Sequence, residues 1–204
     1  MSSPALSFEH RFKPATRPGL RPLLLLHGTG GDETDLLPLG ALVSPGAALL
    51  SPRGQVLEGG MPRFFRRLAE GVFDEADVHR RADDLAGFIK QAREVYGIEA
   101  PVALGFSNGA NIAAALLMLH PGVLAGAALL RPMVPLTDPP AFRLDGTRVL
   151  LLSGSRDPIV PASNAARLAA MLTQAGADLR HETLQTGHGL TQDDVLRSGL
   201  WLRD

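Results

Sequence analysis

Cysteine is absent from this chain of 204 residues. That excludes disulfides, thiolate metal sites and a cysteine nucleophile together. Lysine is nearly absent, with Lys13 and Lys90 alone, so lysine-dependent chemistry has little to draw on. Neither charge sign is in excess. Lys plus Arg number 20 against 21 for Asp plus Glu, a formal net charge of -1, which leaves no basic field to gather phosphates and argues against a nucleic-acid partner. Long hydrophobic runs are missing too: the longest early run, Leu23 to Leu26, is too short for a signal-peptide core or a membrane span. The chain is therefore expected to be cytoplasmic and soluble, with no membrane span. What is present is a 45% hydrophobic composition, enough at this length for one domain with a sizeable core, read as residues 1–204.

Apolar runs of strand length alternate with longer segments of helical period, the pattern of an α/β protein with a doubly wound, mostly parallel sheet. Residues 6–12, "LSFEHRF", alternate apolar and polar and predict a half-exposed edge strand. "RPLLLLHG" predicts a buried strand ending at His27, then a Gly-rich turn and a helix over 35–43. "AALLSP" is a second strand. Val78, Ala82, Leu85, Ile89, Ala92 and Tyr96 step by four and three, so 75–96 is a helix with one apolar stripe. "PVALGF", "LAGAALL" and "RVLLLSG" predict further strands, and "DLRHETL" a second edge strand. Helices are expected over 107–120, 161–174 and 192–203.

Gly105-Phe106-Ser107-Asn108-Gly109 lies where a strand turns sharply into a helix. That context makes a G-x-S-x-G pattern informative, because the turn projects the serine from the top of the sheet and the glycines let the chain double back. A flexible glycine turn is the bland alternative in a chain with 22 glycines. A serine hydroxyl needs a base, and the base needs an orienting acid. In a doubly wound sheet both belong in loops after later strands. His188 in "TLQTGHGLT" meets this, whereas His79 and His120 fall on helices, His10 and His181 in strands, and His27 at an early strand end where it can still line the site. Asp157 in "LLLSGSRDPIVP" follows a buried strand, while Asp138 and Asp145 suit turn or solvated positions. The order Ser107, Asp157, His188 is nucleophile, acid, base.

Attack on a carbonyl also needs donors for the oxyanion. The backbone N–H of Asn108 sits at a helix start, where free amides and the helix dipole favour negative charge. The turn "HGTGGDETDLL" offers a second donor, the N–H of Thr29. A phosphate loop is the competing reading, but the turn lacks the Lys-Ser/Thr ending of a P-loop and is not G-x-G-x-x-G.

Together "LLLLHGTGGDETDLLPL", "GFSNGANIA", "SGSRDPIVP" and "TGHGL" resemble the small carboxylesterase/phospholipase branch of the α/β-hydrolases, from about Arg21 onward. That branch includes acyl-protein thioesterases and bacterial esterases associated with hydroquinone and quinone stress. The resemblance implies an α/β-hydrolase fold with an antiparallel edge strand and no large lid. It also implies a Ser107, Asp157, His188 triad, no cofactor or metal, and activity on small-molecule esters of short to medium acyl chain. Acyl-protein thioesterases usually carry glutamine after the nucleophile; Asn108 stands there in this chain, which leans toward the quinone-stress esterases.

The segment 51–73, "SPRGQVLEGGMPRFFRRLAEGVF", is too glycine-rich for one long helix and presents Met61, Phe64, Phe65, Val72 and Phe73. Met61, Phe64, Phe65 and Phe73 are candidate substrate contacts, or simply pack onto the sheet edge. Arg53, Arg63, Arg66 and Arg67 either meet an acidic substrate group or form a solvated cluster. Dienelactone hydrolases normally use cysteine, and hydroxynitrile lyases often use a lysine that no site loop carries here. Thioesterase, lysophospholipase and perhydrolase activity fit the same residues, as does a non-catalytic small-aromatic binding module, although such modules typically lose a triad member. A homodimer would find contacts at the edge strand near Phe8 and at "SGLWLRD".

Overall fold

The computed structural model describes residues 6–204, and its elements alternate as the apolar runs do. Strand β1 (His10–Lys13) and strand β2 (Leu23–Leu26) precede helix α1 (Leu37–Val43) and strand β3 (Leu49–Pro52). Two hairpins follow, β4 (Val56–Glu58) with β5 (Met61–Arg63) and β6 (Arg67–Ala69) with β7 (Val72–Phe73). The rest runs through α2 (Glu75–Tyr96), β8 (Val102–Phe106), α3 (Asn108–Leu119), β9 (Gly126–Leu130), β10 (Arg148–Gly154), α4 (Ala162–Gln174), β11 (Asp178–Leu184) and α5 (Gln192–Arg203), alternating except where β10 follows β9 directly.

Among the described residues, seven strands form one sheet in the order β1-β3-β2-β8-β9-β10-β11. Each neighbouring pair is parallel except β1 with β3. This is the mostly parallel α/β sheet that the alternation predicts, with the one antiparallel edge that the resemblance implies. The interior strands are apolar on both faces because helices cover both. In β2, Leu24 and Leu26 enter the apolar layer beneath α2, α3 and α4, while Leu23 and Leu25 enter the layer beneath α1 and α5. Val149 and Leu151 against Leu150 and Leu152 repeat the division in β10, as a period of two requires.

Helix α2 owes its ends to local chemistry. The Asp74 carboxylate accepts the Asp77 N–H at the start, and Gly97 closes the helix in the left-handed conformation with φ 62°, contacts whose N-terminal part is typically worth about 1 kcal/mol. Val78, Ala82, Leu85, Ile89 and Ala92 of the predicted stripe are buried, whereas Tyr96 at the end of the helix is half-buried.

The first strand departs from expectation. It covers His10–Lys13 rather than 6–12, because its partner β3 ends at Pro52, opposite His10. Phe8 instead turns inward, is buried and packs against Phe88 with ring centroids 5.0 Å apart. Its side chain is therefore not exposed, although β1 remains the terminal strand of the sheet. In the other candidate segment Trp201 is buried, with the Arg148 guanidinium over its ring, while its neighbour Leu200 is exposed. The 53–73 segment is two hairpins, the first turning through Gly59 and Gly60, both at positive φ, as a two-residue turn of the I′ kind demands. No helix among the described residues is long and apolar enough to cross a membrane.

Candidate active site

Ser107 joins β8 to α3 with φ 52° and ψ -113°, a conformation that a residue bearing a side chain keeps only where its surroundings impose it. Two glycines do so. A Cβ on Gly105 would lie 2.6 Å from the Gly109 carbonyl oxygen, and one on Gly109 would lie 1.9 Å from that of Leu26. The serine is thus lifted above the carboxyl end of the sheet. His188 arrives from the loop between β11 and α5, and Asp157 from the turn after β10.

The three side chains meet. His188 Nε2 lies 2.9 Å from Ser107 Oγ, and His188 Nδ1 lies 2.8 Å from Asp157 Oδ2. The Asp157 side chain is almost wholly buried, and its Oδ1 accepts the N–H groups of Ile159 and Val160. Burial pushes its pKa up, but the Val160 and Ile159 amides and His188 outweigh that and hold the carboxyl below its ordinary value. An ionised Asp157 only accepts, so the His188 proton resides on Nδ1 and Nε2 is left to accept from Ser107.

The loop after β2 is fixed from three sides. His27 is buried, accepts the Gly54 N–H at Nε2 over 3.0 Å, and so carries its own proton on Nδ1, which donates to the Gly28 carbonyl over 2.7 Å. Burial holds its pKa below 6.5, with the Gly28 hydrogen bond opposing. Arg63 donates to Thr29 Oγ1 over 2.6 Å, and Gly30 N–H donates to the Pro62 carbonyl. Strand β5 therefore pins the backbone around Thr29. Among the described residues neither the Thr29 nor the Asn108 backbone N–H has a hydrogen-bond acceptor, and both residues border the cleft beside Ser107.

That cleft has a volume of about 340 Å³. Of the four hydrophobic contacts expected from 51–73, Phe73 lines it. Phe64 and Phe65 are buried in the core instead, Phe65 edge-on to Phe73, and Met61 is exposed, its side chain against Gly30. The apolar wall comes from Phe73 with Phe106, Met133 and Ile159, and the polar wall from Arg63, Arg67, Glu70 and Asn111. All four arginines of the cluster are held by carboxylates, Arg53 by Glu33 and Glu9, Arg66 by Asp74, and the cleft pair Arg63 and Arg67 by Glu58.

Asn111, Met133 and Ile159 were not legible as site residues, although Asn111 carries a signal. In α3 Asn108 and Asn111 are the sole polar side chains of an otherwise apolar helix, and a buried amide must find partners. Asn108 Oδ1 accepts the Phe64 N–H and Asn111 Oδ1 the Met133 N–H, each over 2.7 Å. One helix thus ties down both walls of the cleft.

No protein-family model matches the chain. It is 44% identical over 184 residues to the "Putative hydrolase MhqD" of Bacillus subtilis (strain 168), covering 89% of this chain and 92% of that one. Among solved structures it resembles the Bacillus cereus carboxylesterase, with 43% identity, a TM-score of 0.94 and coverage of 97% and 94%. A carboxylesterase from Mesorhizobium loti matches at 33% identity and a TM-score of 0.93, with coverage of 97% and 95%. Shared sequence over nearly the full length, on a shared parallel sheet, means that this chain belongs to the α/β-hydrolases, in their small carboxylesterase branch.

Proposed function

We propose that this protein is a serine carboxylesterase that hydrolyses short to medium acyl esters through an acyl-enzyme. The observation that supports this best is the unbroken hydrogen-bonded line from Ser107 Oγ through His188 to Asp157 at the edge of the cleft. As the Ser107 oxygen bonds to the ester carbonyl carbon, its proton passes to His188 Nε2, and Asp157 steadies the imidazolium. The carbonyl oxygen, now anionic, takes hydrogen bonds from the Thr29 and Asn108 backbone amides, contacts typically worth about 2.7 to 4 kcal/mol each to the transition state. His188 then protonates the departing alkoxide, the carbon–oxygen bond to the leaving group breaks, and the acyl group remains on Ser107. Water repeats the sequence, giving its proton to His188 and releasing the carboxylic acid.

The cleft volume sits at the low end of ligand sites, which supports a small acyl group. The test is turnover of p-nitrophenyl acetate, butyrate and octanoate, with matched thioesters alongside, by the protein and by Ser107→Ala. Fluorophosphonate labelling followed by mass spectrometry locates the nucleophile. Burst release, labelling at Ser107 and an inert alanine variant support the reading. Equal behaviour of the two proteins on every ester, with no label, would sink it and leave the small-aromatic binding module.

A further inference from the structure

Arg131 stands apart from the chemistry above, yet it is the largest fully buried side chain and carries its own strained backbone. It follows β9 directly, at φ 55°, where only glycine sits without cost. A buried guanidinium in a left-handed position needs a reason.

Its hydrogen bonds give one. Arg131 Nη1 and Nη2 pair with the two carboxylate oxygens of Asp194 at 2.7 and 2.9 Å, a bidentate ion pair with no exposure on either side. Arg131 Nε donates to the Gly187 carbonyl over 3.1 Å, and Nη2 also reaches the Gly189 carbonyl at 3.4 Å. Those are the residues on either side of His188. Asp194 Oδ2 in turn accepts both the N–H and the hydroxyl of Thr191. One ion pair thus grips the His188 loop at three backbone points.

The loop has need of that grip. Glycines flank the imidazole, and a Cβ on Gly189 would meet nothing within 4 Å while one on Gly187 would make only an ordinary contact. Side-chain crowding at the two glycines therefore does little to limit the backbone, which glycine itself leaves permissive, and apart from the packing of the Thr186 and Gly187 carbonyls on Gly154 the loop relies on hydrogen bonds for its shape. His188 itself must hold Nε2 within hydrogen-bond reach of Ser107 and Nδ1 on Asp157 at once. A planar guanidinium is suited to the task, because its fixed fork meets several acceptors in one geometry, which an ammonium does not.

We infer that Arg131, locked by Asp194, is a positioning residue that sets the orientation of the His188 imidazole through the carbonyls of Gly187 and Gly189. The inference rests on the reading of His188 as the catalytic base. It goes beyond that reading in assigning a function in catalysis to a buried ion pair that touches neither substrate nor the reacting atoms.

The test uses the full chain and two variants. In Arg131→Met/Asp194→Asn no lone charge is left buried, the amide at 194 can still accept from Thr191, and the donors to both glycine carbonyls are gone. In Arg131→Lys the charge remains opposite Asp194 but the fork is lost. The expected result for the double variant is a cooperative unfolding transition with kcat lowered about 100-fold and KM within about twofold of the parent. Phosphonylation of Ser107 should slow in step, and the sharp low-field proton resonance of His188 Nδ1 should broaden or vanish. Arg131→Lys should lower kcat about tenfold by the same signature. A kcat within about threefold of the parent in the double variant, with only the melting temperature reduced, would show the pair to be an anchor for α5 and overturn the inference. If the double variant does not fold, Arg131→Lys decides by the same criterion. Ser107→Ala run beside them separates the two claims: an active alanine variant overturns the serine mechanism itself, whereas an inert one with unaffected Arg131 variants overturns the positioning alone.

Discussion

Gly109 and Leu26 touch backbone to backbone: a Cβ on Gly109 would stand 1.9 Å from the Leu26 carbonyl oxygen. The start of α3 can lie against the end of β2 only because no side chain intervenes. This contact brings the Asn108 amide and the loop after β2 to opposite sides of one small space. Gly109→Ala must force the helix away from the strand, so it should cost about 3 kcal/mol or more of stability and take ester turnover with it. Thermal denaturation and activity of the same preparation check this, and a variant that melts and turns over like the parent refutes it.

Asp157→Asn tests the tautomer. One oxygen remains to accept the Ile159 and Val160 amides, but the new NH₂ group would face His188 Nδ1 and drive the imidazole proton to Nε2, where Ser107 needs an acceptor. Roughly 10⁴-fold loss of kcat with a preserved fold is the expected outcome. Steady-state kinetics and circular dichroism decide it; a loss below about tenfold would mean that Asp157 does not orient the base.

Acid should loosen the loop after β2 through His27. Burial disfavours the charged imidazolium, so the folded chain binds that proton less readily than the unfolded chain and the folded pKa is lowered, and protonation of Nε2 would also remove the acceptor for the Gly54 N–H. The stability that His27 contributes is then complete above its ordinary pKa of 6.5 and declines as the pH falls from there through the lowered value. Melting temperatures taken from about pH 8 to about pH 5 should fall across that window. His27→Gln, whose amide can still accept from Gly54, should be less stable at neutral pH but show a flatter decline. Parallel profiles would remove His27 from the account.

Phe73 is expected to bear on the acyl preference, because it lines the cleft beside Ser107. It stands edge-on to the buried Phe65 at a centroid distance of 5.1 Å. Phe73→Ala opens that wall, and the ratio of kcat/KM for octanoate over acetate should rise about tenfold. The chain-length series on the variant reads this directly, and an unchanged ratio would place the acyl group against another wall.

Much of the scaffold was legible because its signals are local. Leu23 to Leu26 announced a strand covered on both faces, and the stripe from Val78 to Ala92 announced α2, since each pattern is set by burial of one element's own side chains. The hairpins at 56–73 were missed, although Gly59-Gly60 is a hairpin turn pair, because short strands with one exposed face carry little apolar period. Phe8 looked like part of an edge strand from its alternation alone. Its inward turn depends on where β3 ends and on Phe88, some eighty residues away in α2.

By itself the sequence determined the order of the helices and of the strands of the main sheet along the chain, the sharp turn at Ser107 and the loops that carry Asp157 and His188. Those follow from periodicity and from glycines whose neighbours are close in the chain. The tertiary structure alone decided that the imidazole reaches both partners, that Phe73 rather than Phe64 or Phe65 faces the cleft, and that Asn108 and Asn111 hold its walls. It also decided that Arg131 meets Asp194, 63 residues on, across the His188 loop. Such contacts arise when separate strands are laid side by side in one sheet, and no residue's immediate neighbours encode which distant group the packing will bring to it.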